Sequence, residues 1–190
     1  MAIPLRKPNE IDKLRIANIA VAKTLNYLKT TVKAGMTLKQ VDEMGEKFLR
    51  DLGARPSFKG LYGFPAAICT SLNEVIIHGI PTDVVLKEGD ILGIDIGSEI
   101  DGWYGDSAIT MPIGKISKED EALIACAKDS LYYAIDVIKE GMRFKELSKL
   151  IEDFITSRGY QPLVRFCGHG IGKKPHEEPE IPNYLENGNA

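Results

Sequence analysis

The chain has 190 residues and a formal net charge of -3, with 44% hydrophobic and 27% charged residues. This length suits one domain with a sizeable core, and the composition is ordinary for a globular protein. The small negative charge argues against nucleic acid as the main partner, and no apolar run reaches the length of a membrane-spanning helix. Three widely spaced cysteines without a CxxC pair, and a first segment without the apolar core of a signal peptide, favour the cytoplasm.

The first part of the chain predicts two helices. Apolar residues recur at helical spacing from about Asn9 to Lys33, and Gly35 ends this segment. The sequence T-L-K-Q at Thr37–Gln40 is a capping box that begins a second helix, which Gly53 ends.

The next part predicts loops and short strands, because glycines and prolines interrupt residues 54–83. The strand candidates here are Ala66–Thr70 and Val75–His78. Two more helices are predicted further on, one from the capping sequence at Ser117 to about Glu140, and one over about 144–158. Strand and loop follow from Tyr160.

The stretch Gly89–Pro112 predicts a β-hairpin with two aspartates. Asp95 lies in a glycine-bounded aliphatic strand, and Asp106 lies on the returning strand. If Asp101-Gly102 is the loop, the two aspartates are diagonal neighbours; if Ile100-Asp101 is the loop, they are directly opposite. Either register places both carboxylates on one face, roughly 5 to 8 Å apart between Cβ atoms, whereas a three-residue loop would separate them.

Two like charges on one partly buried face require a cation or a shared proton, and a divalent metal is the simplest candidate. The alternative is that each aspartate only caps a turn. The three histidines, His78, His169 and His176, all lie beside glycine- or proline-rich turns. A lone histidine is usually structural, but Asp, Asp and His together supply ligands suited to Mn, Fe, Co or Zn. A hydrolytic metal centre of this kind lowers the pKa of bound water and polarises a carbonyl.

The helices repeat within the chain. Residues 35–41 (GMTLKQV) match residues 141–147 (GMRFKEL) at a constant offset of 106, and Gly53 matches Gly159. An internal duplication implies two similar halves about a pseudo-twofold axis, and the alternative is chance identity between two amphipathic helix pairs. At the same offset the hairpin would map onto positions 195–218, so we expect a second hairpin, and any ligands it carries, to be missing from this chain.

Three blocks in this order resemble the signatures of type I methionine aminopeptidases: NEVIIHGIP (73–81), DILGIDIGSEIDGWYGDSA (90–108) and FCGHGIGKKPHEEP (166–179). The resemblance implies the α+β pita-bread fold, with helices packed on a central antiparallel sheet in two pseudo-symmetric halves. It implies one catalytic metallopeptidase domain over residues 1–190 that lacks its C-terminal strands. It also implies two divalent metal ions as cofactors, with Co, Mn, Fe and Zn all open.

By position in these blocks, Asp95, Asp106 and His169 resemble metal ligands, with Asp106 bridging both ions. His78 and His176 resemble the catalytic histidines that contact the substrate, His78 near the scissile amide and His176 toward its carbonyl. The family's two further glutamate ligands, one of them also the general base, would follow position 190. On this basis the 190-residue chain keeps three of five expected ligands and is expected to be inactive by itself.

The loop at residues 58–69 (FKGLYGFPAAIC) is similar to the wall of the family's pocket for the substrate methionine. This implies a substrate-binding role for Phe58, Tyr62, Phe64 and Cys69. Ordinary core packing is the alternative for these four residues.

The function implied by the resemblance is removal of the initiator methionine from nascent polypeptides with a small second residue, by a cytoplasmic monomer. Local lysine clusters leave contact with a large partner such as the ribosome open, and no nucleic-acid motif or membrane segment is found. One alternative is a non-catalytic, peptide-binding relative or an inactive fragment. Another is a sugar-kinase or actin-like ATPase, because GIDIGSE resembles a phosphate-loop strand, although residues 165–172 lack the aspartate that this reading requires.

Overall fold

A computed structural model of the protein describes residues 3–185. The chain forms two compact units, each containing a helix pair and antiparallel strands. The N-terminal unit consists of Pro4–Ser117 and a later segment, Ile171–His176. The C-terminal unit consists of Lys118–Gly170 and the described residues that begin at Glu177.

The helix pair of the N-terminal unit lies where the sequence predicts it, with α1 at Pro8–Thr31 and α2 at Leu38–Asp51. The predicted capping box is confirmed, because the Thr37 hydroxyl accepts from the Gln40 N–H at 3.2 Å and the Gln40 side chain accepts from the Thr37 N–H at 2.9 Å. The N–H groups of Thr37 and Gln40, which have no acceptor within the helix, are thereby hydrogen-bonded.

Four antiparallel strands form the sheet of this unit: β1 at Arg55–Pro56, β2 at Ile68–Leu72, β3 at Ile91–Ile100 and β4 at Trp103–Pro112. The central strand is β3, which pairs with β4 over its whole length and with β1 and β2 along its other edge. A short 3-10 turn at Leu61–Gly63 lies between β1 and β2.

One face of β3 forms the core of the unit. Leu92, Ile94 and Ile96 are fully buried and belong to one apolar cluster with Leu28 of α1 and Leu49 of α2. Side chains alternate between the two faces of a strand, so the residues between them, Asp95 included, lie on the face away from the helices. Each fully buried aliphatic side chain contributes about 1.5 to 3 kcal/mol to this packing.

The strand predicted at Val75–His78 is wrong. Asn73 and His78 have positive φ values of 50° and 56°, which turn the chain back on itself. The segment after the turn returns to β2, where the Thr70 N–H donates to the Gly79 carbonyl at 2.8 Å. Gly79 passes so close that a Cβ there would lie 2.2 Å from the Thr70 oxygen. Aliphatic content alone therefore misled the prediction, and Val75 is half-exposed in the loop.

In the C-terminal unit, α3 spans Lys118–Val137 and α4 spans Phe144–Thr156, which confirms both predicted helices. Two short strands, β5 at Gly168–Gly170 and β6 at Glu177–Ile181, pair antiparallel. Within residues 3–185, none of the helices is both long and apolar enough to cross a membrane.

The internal repeat is visible in the packing of each helix pair. Tyr27 and Phe48 stack with ring centroids 4.3 Å apart, and the residues 106 positions later, Tyr133 and Phe154, stack at 4.8 Å. The glycines that follow the helices repeat as well, since the matched pair Gly53 and Gly159 have φ values of 78° and 84°. These shared contacts favour duplication over chance identity.

Candidate metal centre

The turn of the β3–β4 hairpin decides where the two aspartates lie. Asp101 and Gly102 both have positive φ, 51° and 75°, as a two-residue type I′ turn requires. Asp95 therefore pairs with Ala108, and Asp106 pairs with Gly97. Of the two registers left open by the sequence, the structure has the one with Asp95 and Asp106 as diagonal neighbours on one face.

The two carboxyl groups interact strongly. Burial, reinforced by the charge of Asp95 and by a hydrogen bond with it, raises the pKa of Asp106 to about 8. A protonated Asp106 can donate to the Asp95 carboxylate, so the pair shares a proton where a cation would otherwise offset the charge. Carboxylate oxygens that need such compensation fit a divalent metal ion.

Cys69 adjoins this pair, because it lies directly opposite Asp95 on β2 and is only 4% exposed. Burial first, and then the charges of Asp95, Asp106 and Asp42, raise the pKa of the Cys69 thiol to about 12. The thiol is therefore neutral, and it offers an uncharged wall beside the carboxylates rather than a thiolate ligand.

Phe58 covers the same face two residue pairs further along β3. A Cβ on Gly97, the partner of Asp106, would lie 2.4 Å from the Phe58 ring. Only glycine leaves room for the ring at this position. Of the predicted pocket residues, the structure thus brings Phe58 and Cys69 to the carboxylate face.

The other two predicted pocket residues lie in the 3-10 turn region. Tyr62 is 90% exposed and has a positive φ of 50°, whereas Phe64 is partly buried. The Tyr62 ring lies near His176, with centroids 6.3 Å apart.

His176 belongs to the N-terminal unit, and hydrogen bonding connects its segment to β4. The Tyr104 N–H donates to the Gly172 carbonyl at 2.9 Å, two residues before Asp106. The Lys173 ammonium lies 5.4 Å from the centroid of Trp103, a geometry suited to a cation–π interaction. Sequence reasoning missed this anchoring, since the residues involved are far apart in the chain and form no motif.

His78 is exposed and lies directly before Gly79 in the tight loop on β2. Its positive φ is tolerated better by histidine than by most residue types. The Gly79 N–H donates to the Ser71 hydroxyl at 3.2 Å, and the Gly79 carbonyl accepts from the Thr70 N–H. The residue after His78 is therefore held through both its N–H and its carbonyl.

His169 belongs to the C-terminal unit, on β5. Its Nδ1 lies 3.0 Å from the Gly170 carbonyl oxygen. Because a carbonyl can only accept, this contact requires a proton on Nδ1. Within the described residues, no group of three or more His, Cys, Asp or Glu side chains is arranged to hold a metal ion.

A further carboxylate that the sequence did not reveal holds the start of β2. Asp42 of α2 accepts from the Ala67 and Ile68 N–H groups, both at 2.9 Å. Burial raises the pKa of Asp42 although these two hydrogen bonds lower it. Asp42 thereby fixes the strand that carries Cys69, and nothing in the local sequence distinguishes it from other helix-surface carboxylates.

Comparison with known proteins gives a consistent result. The model of metallopeptidase family M24 matches residues 12–190. A methionine aminopeptidase of Helicobacter pylori is 60% identical over 188 residues, which are 99% of this chain and 74% of the relative. Crystal structures of the methionine aminopeptidases of Rickettsia prowazekii and Thermotoga maritima match with TM-scores of 0.95 and sequence identities of 32% and 35%. Each match covers 99% of this chain and 76% of the solved chain.

These matches confirm the resemblance and the α+β pita-bread fold that it implied. They lend no support to a non-catalytic relative or to a sugar-kinase-like ATPase. A metallopeptidase family implies divalent metal ions, in agreement with the paired carboxylates. The chain belongs to metallopeptidase family M24.

Proposed function

We propose that this protein is a metal-dependent aminopeptidase that removes the N-terminal methionine from polypeptides with a small second residue. One observation carries the proposal: Asp95 and Asp106 lie on one face of the hairpin, and their carboxyl groups are close enough for one to raise the pKa of the other. Identity of 60% to a methionine aminopeptidase supplies the substrate class.

The residues that would hold divalent ions of Co, Mn, Fe or Zn are Asp95, Asp106 and His169. The carboxylates provide the hard oxygen donors. A ligating imidazole commonly donates its other N–H to a carbonyl, and the Nδ1 contact of His169 with the Gly170 carbonyl has that form. When bound, such ions polarise the scissile carbonyl and lower the pKa of water.

The side chains around the carboxylates are proposed to bind the substrate methionine. Phe58 and Cys69 lie on the carboxylate face, and both are buried and uncharged. An aromatic ring and a neutral thiol suit a flexible thioether side chain, because sulfur–aromatic contacts are favourable. Tyr62 and Phe64 are proposed to complete this pocket from the turn at Leu61–Gly63.

His78 is proposed to contact the scissile amide of the substrate, and His176 is proposed to contact its carbonyl. The exposure of both imidazoles is consistent with this role. The anchoring of the His176 segment on β4 holds that imidazole near Tyr62 before a substrate arrives, which reduces the ordering needed on binding.

The proposed substrates are the N-termini of nascent polypeptides, and the proposed location is the cytoplasm, where such chains are made. All three cysteines are free thiols, as expected in a reducing compartment. We propose a monomer that works near the ribosome.

The test is methionine release from a peptide panel by the protein as its gene encodes it. After chelation, the protein should release methionine from Met-Ala-Ser only when Mn²⁺ or Co²⁺ is restored, with a rate gain of at least about 100-fold, because metal activation of water lowers the barrier by several kcal/mol. Met-Leu-Ser should be cleaved at least about 10-fold more slowly, since one poorly accommodated side chain costs 1 to 3 kcal/mol. Metal-independent release, or equal rates on both peptides, would contradict the proposal.

A further inference from the structure

One turn of helix α1 lies against the hairpin beside Asp106. The Ala17 carbonyl accepts from the Ser98 hydroxyl of β3 at 2.9 Å, and both residues are fully buried. The next strand, β4, comes equally close at Gly105, where a Cβ would lie 2.7 Å from the Ala17 backbone. The helix backbone therefore rests directly on both strands of the hairpin.

Asn18 is the next residue of that helix turn, and its side chain connects α1 to Asp106. Its Oδ1 accepts from the Asp106 N–H at 3.3 Å, and its Nδ2 donates to the Leu14 carbonyl at 2.9 Å. The second hydrogen bond decides the orientation of the amide, because only the NH₂ group can donate to a carbonyl. The oxygen is thereby held toward the strand.

The Asn18 side chain supplies the hydrogen bond that a neighbouring strand would otherwise provide to the Asp106 N–H. Among the described residues, β4 is paired with β3 alone, so its other edge has no strand neighbour in residues 3–185. Two N–H groups on this outer edge of β4 have acceptors from outside the sheet. The Tyr104 N–H donates to the Gly172 carbonyl, and the Asp106 N–H donates to Oδ1 of Asn18. The Asp106 backbone is thus held from outside the sheet by one side chain.

We infer that Asn18 is a positioning residue for Asp106. It fixes the peptide from which the Asp106 carboxylate projects, and so fixes that carboxylate relative to Asp95 on the neighbouring strand. The inference rests on the proposed function, because the role assigned to Asn18 is to orient a proposed metal ligand. Outer groups that orient ligands typically change metal affinity by 10- to 100-fold.

The direct test is amide hydrogen exchange of Asp106 in the chelated protein, measured by nuclear magnetic resonance. Asn18→Ala should accelerate exchange of the Asp106 N–H by at least about 10-fold, because that amide loses its hydrogen-bond acceptor. The matched control is Asn26→Ala, which makes the same change at an exposed position of the same helix and should leave the Asp106 amide unchanged. Equal exchange of the Asp106 amide in the two variants would overturn the inference.

A second arm separates positioning from general stability. In the protein as its gene encodes it, Mn²⁺ titration by calorimetry should show about 10-fold weaker binding for Asn18→Ala than for the parent. Ser98→Ala, which removes the neighbouring contact to the same helix turn without touching Asp106, should bind Mn²⁺ within about twofold of the parent, although the loss of a buried hydrogen bond makes it less stable. If Ser98→Ala weakens Mn²⁺ binding as much as Asn18→Ala does, the contact is only structural and the inference is wrong.

The two proposals fail separately. If the parent and Asp106→Asn bind Mn²⁺ equally, or neither binds it, the proposed metal centre is wrong. The exchange experiment needs no metal and still decides whether Asn18 holds the Asp106 backbone.

Discussion

The two helix pairs of this protein share a sequence pattern but not an environment. Leu25 of α1 is 5% exposed, whereas the matching Leu131 of α3 is 58% exposed. The same contrast holds for Val32 and its match Ile138, at 8% and 51%. The aromatic stack between the helices is nevertheless present in both pairs.

The difference lies in the strands available to each helix pair. The α1–α2 pair packs on one face of a sheet whose two longest strands, β3 and β4, have ten residues each. Within the described part of the C-terminal unit, the strands are β5 and β6, of three and five residues. Helix periodicity therefore predicts where an apolar face lies, while burial of that face depends on partners far away in the sequence.

The largest expected difference between the two regions concerns pH, because the carboxylate pair belongs to the N-terminal unit. In the folded, chelated protein the pKa of Asp106 is about 8, above its ordinary value of 3.8. The folded state therefore keeps a proton that the unfolded chain releases, so the free energy of unfolding should fall as pH rises from about 4 to about 8, by a few kcal/mol.

Urea denaturation followed by the fluorescence of Trp103, the single tryptophan, measures this dependence in the hairpin itself. Asp106→Asn should show a much weaker fall over the same pH range. An identical pH dependence in the parent and in this variant would show that Asp106 does not carry the effect.

A matched pair of truncations should separate the two helix faces. Leu25→Ala removes a fully packed side chain and should lower the free energy of unfolding by about 3 kcal/mol, within the usual range for buried leucines. Leu131→Ala, at the repeat position, should cost about 0.5 kcal/mol or less because the side chain is already exposed. Thermal unfolding followed by circular dichroism compares them, and equal losses would mean that Leu131 is buried in solution.

The smallest effect should be the same in both regions. Lys47–Asp51 in α2 and Lys149–Asp153 in α4 are exposed ion pairs one helical turn apart, each with an N–O distance of 2.6 Å. Lys47→Gln and Lys149→Gln should each lower the free energy of unfolding only marginally, and this small effect should disappear in high salt. A clear loss of stability at only one of the two positions would show that the helix surfaces differ more than their exposure indicates.

Local signals predicted the helices and the hairpin, because capping residues, helical periodicity and the Asp101-Gly102 turn act over a few neighbours. The same signals left the register open, and it was decided by the positive φ at both turn residues. The loop at Val75–His78 was predicted wrongly because its aliphatic residues imitate a strand, while its return to β2 depends on Gly79.

The supporting contacts of the site could not be predicted in this way. Asn18 contacts Asp106, 88 residues later in the chain, and Gly172 contacts Tyr104 on a strand much earlier in the chain. Neither contact produces a periodicity or a motif. Fold topology brings these residues together, so sequence motifs suggested candidate ligands while the contacts behind them could not be predicted.

The most direct measurement of the central claim compares two substitutions in one hairpin. In the protein as its gene encodes it, Asp106→Asn should reduce Mn²⁺-dependent release of methionine from Met-Ala-Ser by at least about 100-fold, since it removes a proposed metal ligand. Asp101→Asn, in the exposed turn of the same hairpin, should retain the parent rate within about twofold, because asparagine tolerates positive φ. Near-parent activity in Asp106→Asn would contradict the assignment of this hairpin as a metal centre.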